Sequence, residues 1–104
     1  MHEILLFYVP FPDLKSAEST VEELLKLKLI ACANIVPVKS AYFWLNEFRK
    51  DDEVLVLMKT RTEKEEILDN KISALHTYET PCIARTVLRC NKAYYDWVCA
   101  QTAD

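Results

Sequence analysis

Glycine is absent from this chain of 104 residues, and histidine occurs only at His2 and His76. Without glycine, each left-handed backbone position has to be filled by Asn34, Asn46, Asn70, Asn91 or an aspartate, or else be avoided. A glycine-rich phosphate loop and a nucleophile elbow are excluded, and the histidines have neither H-E-x-x-H nor any other metal-site spacing. No Lys/Arg block occurs and the net charge is -3, so the electrostatic footprint of a nucleic-acid binder is missing. No apolar run approaches the roughly 18 to 20 residues that span a bilayer. Met1-His2-Glu3-Ile4 lacks the basic start and small-residue cleavage site of a secretion signal, so a cytoplasmic protein without a membrane partner is expected. Cys32, Cys82, Cys90 and Cys99 form no C-x-x-C pair, which excludes a zinc ribbon and a thioredoxin-type motif and favours free thiols.

What is present describes one globular domain over residues 1–104, with 51% hydrophobic and 28% charged residues. Ile4 to Val9 is an uninterrupted apolar run ended by Pro10 and Pro12 and predicts a strand covered on both faces. Asp13 is the N-cap expected for a helix striped by Leu14, Ala17, Val21, Leu24 and Leu25 and ending near Lys28. Residues 30–38 predict a second strand. A hairpin follows, with arms over 40–45 and 52–60 and a turn at Asn46-Glu47. Thr62-Glu63-Lys64-Glu65 has the form of a capping box, opening a helix striped by Leu68, Ile72 and Leu75. After Pro81 come a strand over 82–88 and a short helix over 92–100.

Two strand-helix-strand units in succession make a ferredoxin-like βαββαβ fold of the α+β class, with the short helix appended. In that fold both main helices cover one sheet face. Strands as apolar as Ile4 to Val9 and Val54 to Met58 would leave a large patch on the other, so self-association is expected.

The densest polar chemistry lies in His76-Thr77-Tyr78-Glu79-Thr80-Pro81, a connector fixed by its proline. His76 is either a metal ligand or a residue that caps carbonyls in the last helical turn. Glu79 is a carboxylate ligand, a hydrogen-bond partner or an exposed loop residue. Tyr78 is expected to pack with its hydroxyl bonded rather than to react. Cys32 is either a soft-metal thiolate or a buried strand cysteine.

This connector, with Ala31-Cys32-Ala33-Asn34-Ile35-Val36-Pro37, Ser40 to Trp44, Glu53 to Arg61 and Asn91 to Trp97, resembles the CutA divalent-cation tolerance family over nearly the whole chain. The resemblance implies the ferredoxin-like fold, a homotrimer without enzymatic activity or organic cofactor, and binding of divalent metal ions, copper foremost. It makes His76, Cys32 and Glu79 the candidate metal ligands and puts Tyr42, Trp44, Lys59, Tyr78 and Trp97 around a cleft between subunits. With so few histidines, a tight metal site has to borrow ligands from a neighbouring copy. A second reading is a small-molecule sensor of the PII type, whose ferredoxin-like trimers hold metabolites between subunits. The least favoured is an acid/base enzyme using His76 and Glu79. The chain departs from the family pattern at Val38 and Asn46, where glycine is common, and at Thr77 and Lys92, where proline is. Valine disfavours a left-handed bend, so a different geometry is expected after Pro37.

Overall fold

The computed structural model describes residues 2–104 and gives the element order β1 (Glu3–Phe11), α1 (Leu14–Lys26), β2 (Cys32–Trp44), β3 (Glu47–Arg61), α2 (Glu65–Leu75), β4 (Ala84–Arg89) and α3 (Lys92–Gln101). The four strands form one antiparallel sheet in the order β2-β3-β1-β4, so the two βαβ units interleave as the ferredoxin-like reading requires.

Side-chain alternation divides this sheet into two unlike faces. Leu5, Phe7, Val9 and Phe11 of β1 and Val56 and Met58 of β3 are buried in one cluster with Ala17, Val21 and Leu24 of α1 and Leu68 and Ile72 of α2. On the opposite face, α3 covers one end, where Ile4, Ala31 and Val98 are buried with Tyr94 and Tyr95 packed against them. Beyond α3 this face has no cover among the described residues: Leu6, Leu55 and Leu57 are half-buried, and Tyr8 and Val36 are exposed. We call it the open face.

β1 runs past its expected end and through Pro10, which lies opposite Leu55. β4 stops opposite Tyr8, so the missing proline N–H falls where no strand lies on that side. β2 is likewise one continuous edge strand through Pro37, and Val38 pairs with Glu53 without a bend. An extended valine suits this position, and the different geometry expected there is simply an uninterrupted ladder.

Among the described residues, the chain solves its glycine deficit at three positive-φ residues, Lys28, Leu45 and Asn46. Leu45 and Asn46 make the two-residue turn between β2 and β3, where positive φ at both positions matches the twist of the strands. Lys28 follows α1, and bonds from Leu29 N to Leu24 O and from Lys28 N to Leu25 O form a Schellman closure. Only Asn46 was among the expected asparagines. Asp13 caps α1 as expected, accepting from Ser16 N at 2.7 Å, but Leu14 and Leu25 point outward and Thr20 takes a core position. The capping box does not form: Thr62–Lys64 is a turn of 3-10 helix, and α2 begins at Glu65 without a side-chain cap.

From Val38↔Glu53 to Trp44↔Glu47 the hairpin extends beyond Phe11, the last residue of β1. This arm stretches the molecule to 46 × 24 × 21 Å and its radius of gyration to 14.5 Å, against about 13 Å for a compact domain of this length. Its tip exposes Phe43 by 74% and Leu45 by 82%, with Trp44 and Phe48 beside them.

Candidate functional site

The functional residues expected from the sequence separate into two groups at opposite ends of the open face. At the hairpin end, a cleft of about 790 Å³ lies between the arm and the connector from α2 to β4. Tyr42, Trp44, Arg49, Asp51 and Glu53 come from the arm, while Tyr78, Glu79 and Cys82 come from the connector. Strand register explains the arm's contribution. Tyr42 lies opposite Arg49, and Asp51 and Glu53 follow at alternate positions, on the same side of the ladder as Leu55 and Leu57.

His76 builds the connector rather than facing the cleft as a free ligand. It is the C-cap of α2, its backbone N–H bonds Ile72 O at 2.8 Å, and its ring is buried and stacked on Phe11 at 4.5 Å. Nδ1 accepts the Tyr78 N–H at 3.1 Å, so Nε2 carries the proton and donates it to the Pro10 carbonyl at 2.7 Å. Both ring nitrogens are therefore engaged, and a metal on either would have to displace a backbone bond.

Two tyrosine-carboxylate pairs cross the cleft wall: the Tyr78 hydroxyl donates to Glu53 and the Tyr42 hydroxyl to Asp51. Burial, and then the bond to Glu53, push the Tyr78 phenol far above its ordinary range. The bond to Asp51 raises Tyr42 in the same direction. Neither phenol ionises near neutrality, and both carboxylates accept a hydrogen bond while keeping further lone pairs free. Glu79 is exposed at the rim.

At the other end, Cys32 begins β2 and lies opposite Lys59, with its thiol 3.2 Å from the Tyr94 hydroxyl. Burial and that contact push the Tyr94 phenol up to about 12. Lys59 donates to Asn34 Oδ1 at 3.1 Å and stands 5.9 Å from the Tyr94 ring centroid, and Trp97 packs on Tyr94 at 5.6 Å.

The expected set Tyr42, Trp44, Lys59, Tyr78 and Trp97 thus does not share one cleft within a single chain. Tyr42, Trp44 and Tyr78 line the hairpin cleft, whereas Lys59 and Trp97 sit with Cys32 near α3. The expected ligands Cys32, His76 and Glu79 do not converge within a chain either. Cys32 shares the register of Leu6, and His76 binds Pro10, four residues further along β1, a separation of roughly 13 Å along the strand. Among the described residues no group of three or more His, Cys, Asp or Glu is placed to hold a metal ion. All four cysteines are free thiols, and Cys82, given no role from the sequence, is exposed at the cleft. Arg49, Asp51 and Glu53 were also missed. Their alternation before the apolar run of β3 was the available signal, since it carries one polar stripe onto a single sheet face.

The profile of the CutA1 divalent ion tolerance protein family matches residues 5–101. This chain belongs to that family. It is 39% identical over 100 residues to the divalent-cation tolerance protein CutA of Pyrococcus horikoshii, covering 95% of this chain and 98% of that one. The crystal structure of the divalent ion tolerance protein CutA1 from Ehrlichia chaffeensis superposes with a TM-score of 0.94 at 35% identity, covering 96% and 95% of the two chains. The Archaeoglobus fulgidus CutA structure, described as a periplasmic divalent cation tolerance protein, gives 0.91 at 34% identity and covers 95% and 98%. Among the described residues of this CutA-family chain, no helix is long and apolar enough to cross a membrane.

Proposed function

We propose that this CutA-family protein is a non-enzymatic, cytoplasmic homotrimer that binds divalent metal ions, copper foremost, and thereby contributes to divalent-cation tolerance. The observation that carries the reading is the half-covered sheet. Leu6, Tyr8, Val36, Leu55 and Leu57 form an apolar stripe that α3 leaves bare, and it continues into an arm with a bare aromatic tip. A two-stranded ribbon is marginal by itself, so this arm needs a neighbour to pack against. Closed association of a few copies would cover stripe and tip together. It would also give the candidate ligands a way to meet, with Cys32 from one copy and Glu79 from the next, because one copy holds them apart. In that arrangement His76 acts by fixing the connector that presents Glu79.

Native mass spectrometry at micromolar concentration tests the assembly, with the trimer mass expected and a lone monomer refuting it. Copper titration calorimetry on the assembled protein tests the ligands: Cys32→Ser and Glu79→Gln should each weaken binding at least tenfold. Unchanged affinity in both would refute this metal assignment.

The cleft favours a second reading, a small-molecule sensor of the PII type. Its volume suits an organic ligand and far exceeds a single ion. A metabolite panel scored by melting temperature separates the two readings, because a ligand that binds the native state raises it.

A further inference from the structure

Two cations are gathered under the last turn of α3, at the end of the sheet away from the arm. Arg61 closes β3 opposite Ile4, and Lys64 is the N-cap residue of α2. Their side chains are 23% and 9% exposed, whereas Asp104, the one carboxylate within ion-pair distance of either among the described residues, is 90% exposed. Lys64 Nζ donates to Asp104 Oδ1 at 2.6 Å, while Arg61 Nη2 is 4.0 Å from Oδ2. Arg61 Nη2 donates instead to the Thr102 carbonyl at 2.9 Å, and its Nε, shut off from solvent, has no acceptor among the described residues. Thr102 is buried and bonded back to Val98, so it is a fixed point from which the exposed Asp104 reaches the cations. Two positive charges thus face one negative charge, and a buried guanidinium N–H lacks a partner. Buried donors are rarely left in that state, because each has lost its hydration without replacement. What the cluster lacks is one negative charge and a further acceptor, and a small oxyanion supplies both.

We infer that Arg61 and Lys64 form a binding site for a free phosphate ion, for which the Asp104 carboxylate stands in. The oxygens of one phosphate can accept charge-assisted bonds from Lys64 Nζ and from Arg61 Nε together. Exchange of anions is favoured over simple opening, because a buried ammonium stripped of its partner is strongly destabilising. Asp104 therefore leaves when another anion arrives, and its own carboxylate already faces water. The Thr102 carbonyl covers the guanidinium, which favours the free ion over a phosphate ester, whose organic part would have to displace the last turn of α3. The site lies under the chain's own α3, apart from the bare stripe and the arm, and depends on neither metal binding nor the hairpin cleft.

The test uses the full chain in its native assembly at neutral pH, titrated with sodium phosphate, with glycerol 3-phosphate, and with sodium chloride at matched ionic strength. Calorimetry is expected to show saturable binding of phosphate alone, with amide NMR shifts confined to residues 61–64 and 102–104. Asp104→Asn removes the competing carboxylate and keeps its shape, so it should tighten phosphate binding by about tenfold. Lys64→Met keeps the apolar stem and should abolish binding, as should Arg61→Gln, with the melting temperature of each variant in chloride confirming its fold. The inference is overturned if neither the parent protein nor Asp104→Asn binds phosphate, or if Asp104→Asn leaves the affinity unchanged or weaker. It is equally overturned if a folded Lys64→Met or Arg61→Gln variant keeps the parent affinity, or if the ester binds as tightly as the free ion.

Discussion

The two faces of the sheet are built from the same strands and differ only by which alternate residue points where. On the helix face, Phe7, Val9, Val56 and Met58 are fully buried within one chain. On the open face, their immediate neighbours Leu6, Tyr8, Leu55 and Leu57 are equally apolar but lose only part of their surface, and Tyr8 remains 47% exposed. Burial within the chain stabilises the protomer, whereas apolar surface left over drives contact with another chain. One sequence pattern thus encodes folding on one side and, on the other, the surface through which assembly is proposed.

Substitution on each face breaks this comparison most directly. Phe7→Ala empties a closed site between the sheet and the helices, so a loss of about 3–5 kcal/mol in unfolding free energy is expected by denaturant titration. Leu57→Glu, on the opposite face, should cost the isolated protomer much less, because water reaches that side. It should instead abolish association, seen by light scattering as a shift to monomer mass. Equal effects of the two substitutions on protomer stability would show that the open face is closed within one chain.

A second contrast lies between the two ends of the open face, and His76 sharpens it. His76→Ala leaves the Pro10 carbonyl and the Tyr78 N–H without their partners, at a cost of about 1–3 kcal/mol. The effect should be local. Faster amide exchange is expected across residues 76–83, with the Cys32 and Tyr94 end unchanged. A uniform rise in exchange at both ends would mean that the connector is not a separate positioning element.

Much of this was legible in the sequence, because the fold depends on patterns that survive local error. The order of apolar runs and helical stripes was enough for βαββαβ, and Asp13 announced its cap. Turn chemistry was less legible. Lys28 and Leu45 adopt left-handed conformations because the helix closure and the strand twist demand them, and with no glycine available residue preference is overridden. Pro10 looked like a terminator, but strand lengths on its two sides decide that it is not, and those are tertiary facts. The site was legible as types rather than as a place. Within one chain Tyr42, Trp44 and Tyr78 share a cleft while Lys59 and Trp97 lie near α3, so the expected cleft between subunits would have to draw the two groups from different copies. Asp51 and Glu53 received no role from the sequence; they emerge only once the fold brings them to the hydroxyls of Tyr42 and Tyr78.

The smallest expected effect separates the ends by alkaline titration. Tyr94, at the α3 end, has its phenol raised by burial and by the Cys32 contact to about 12, whereas an unfolded tyrosine ionises near pH 10. A group whose folded pKa lies above its unfolded one contributes stability that is fully present below the unfolded value. That contribution disappears between about pH 10 and 12, as the unfolded chain releases the proton first. Tyr94→Phe removes the differential, so the difference in stability between the parent protein and this variant should narrow over that interval, on top of the lysine titrations common to both. Tyr78→Phe should behave alike in direction, because its phenol is also raised, by burial and then by the bond to Glu53, at the cleft rather than at α3. The double substitution distinguishes independent ends from coupled ones. Additive alkaline shifts mean that the cleft and the α3 end titrate separately within a protomer. Strong non-additivity in the assembled protein, absent in Leu57→Glu, would place the two ends beside each other across a subunit boundary, where Cys32 and Glu79 have to meet if they share a metal.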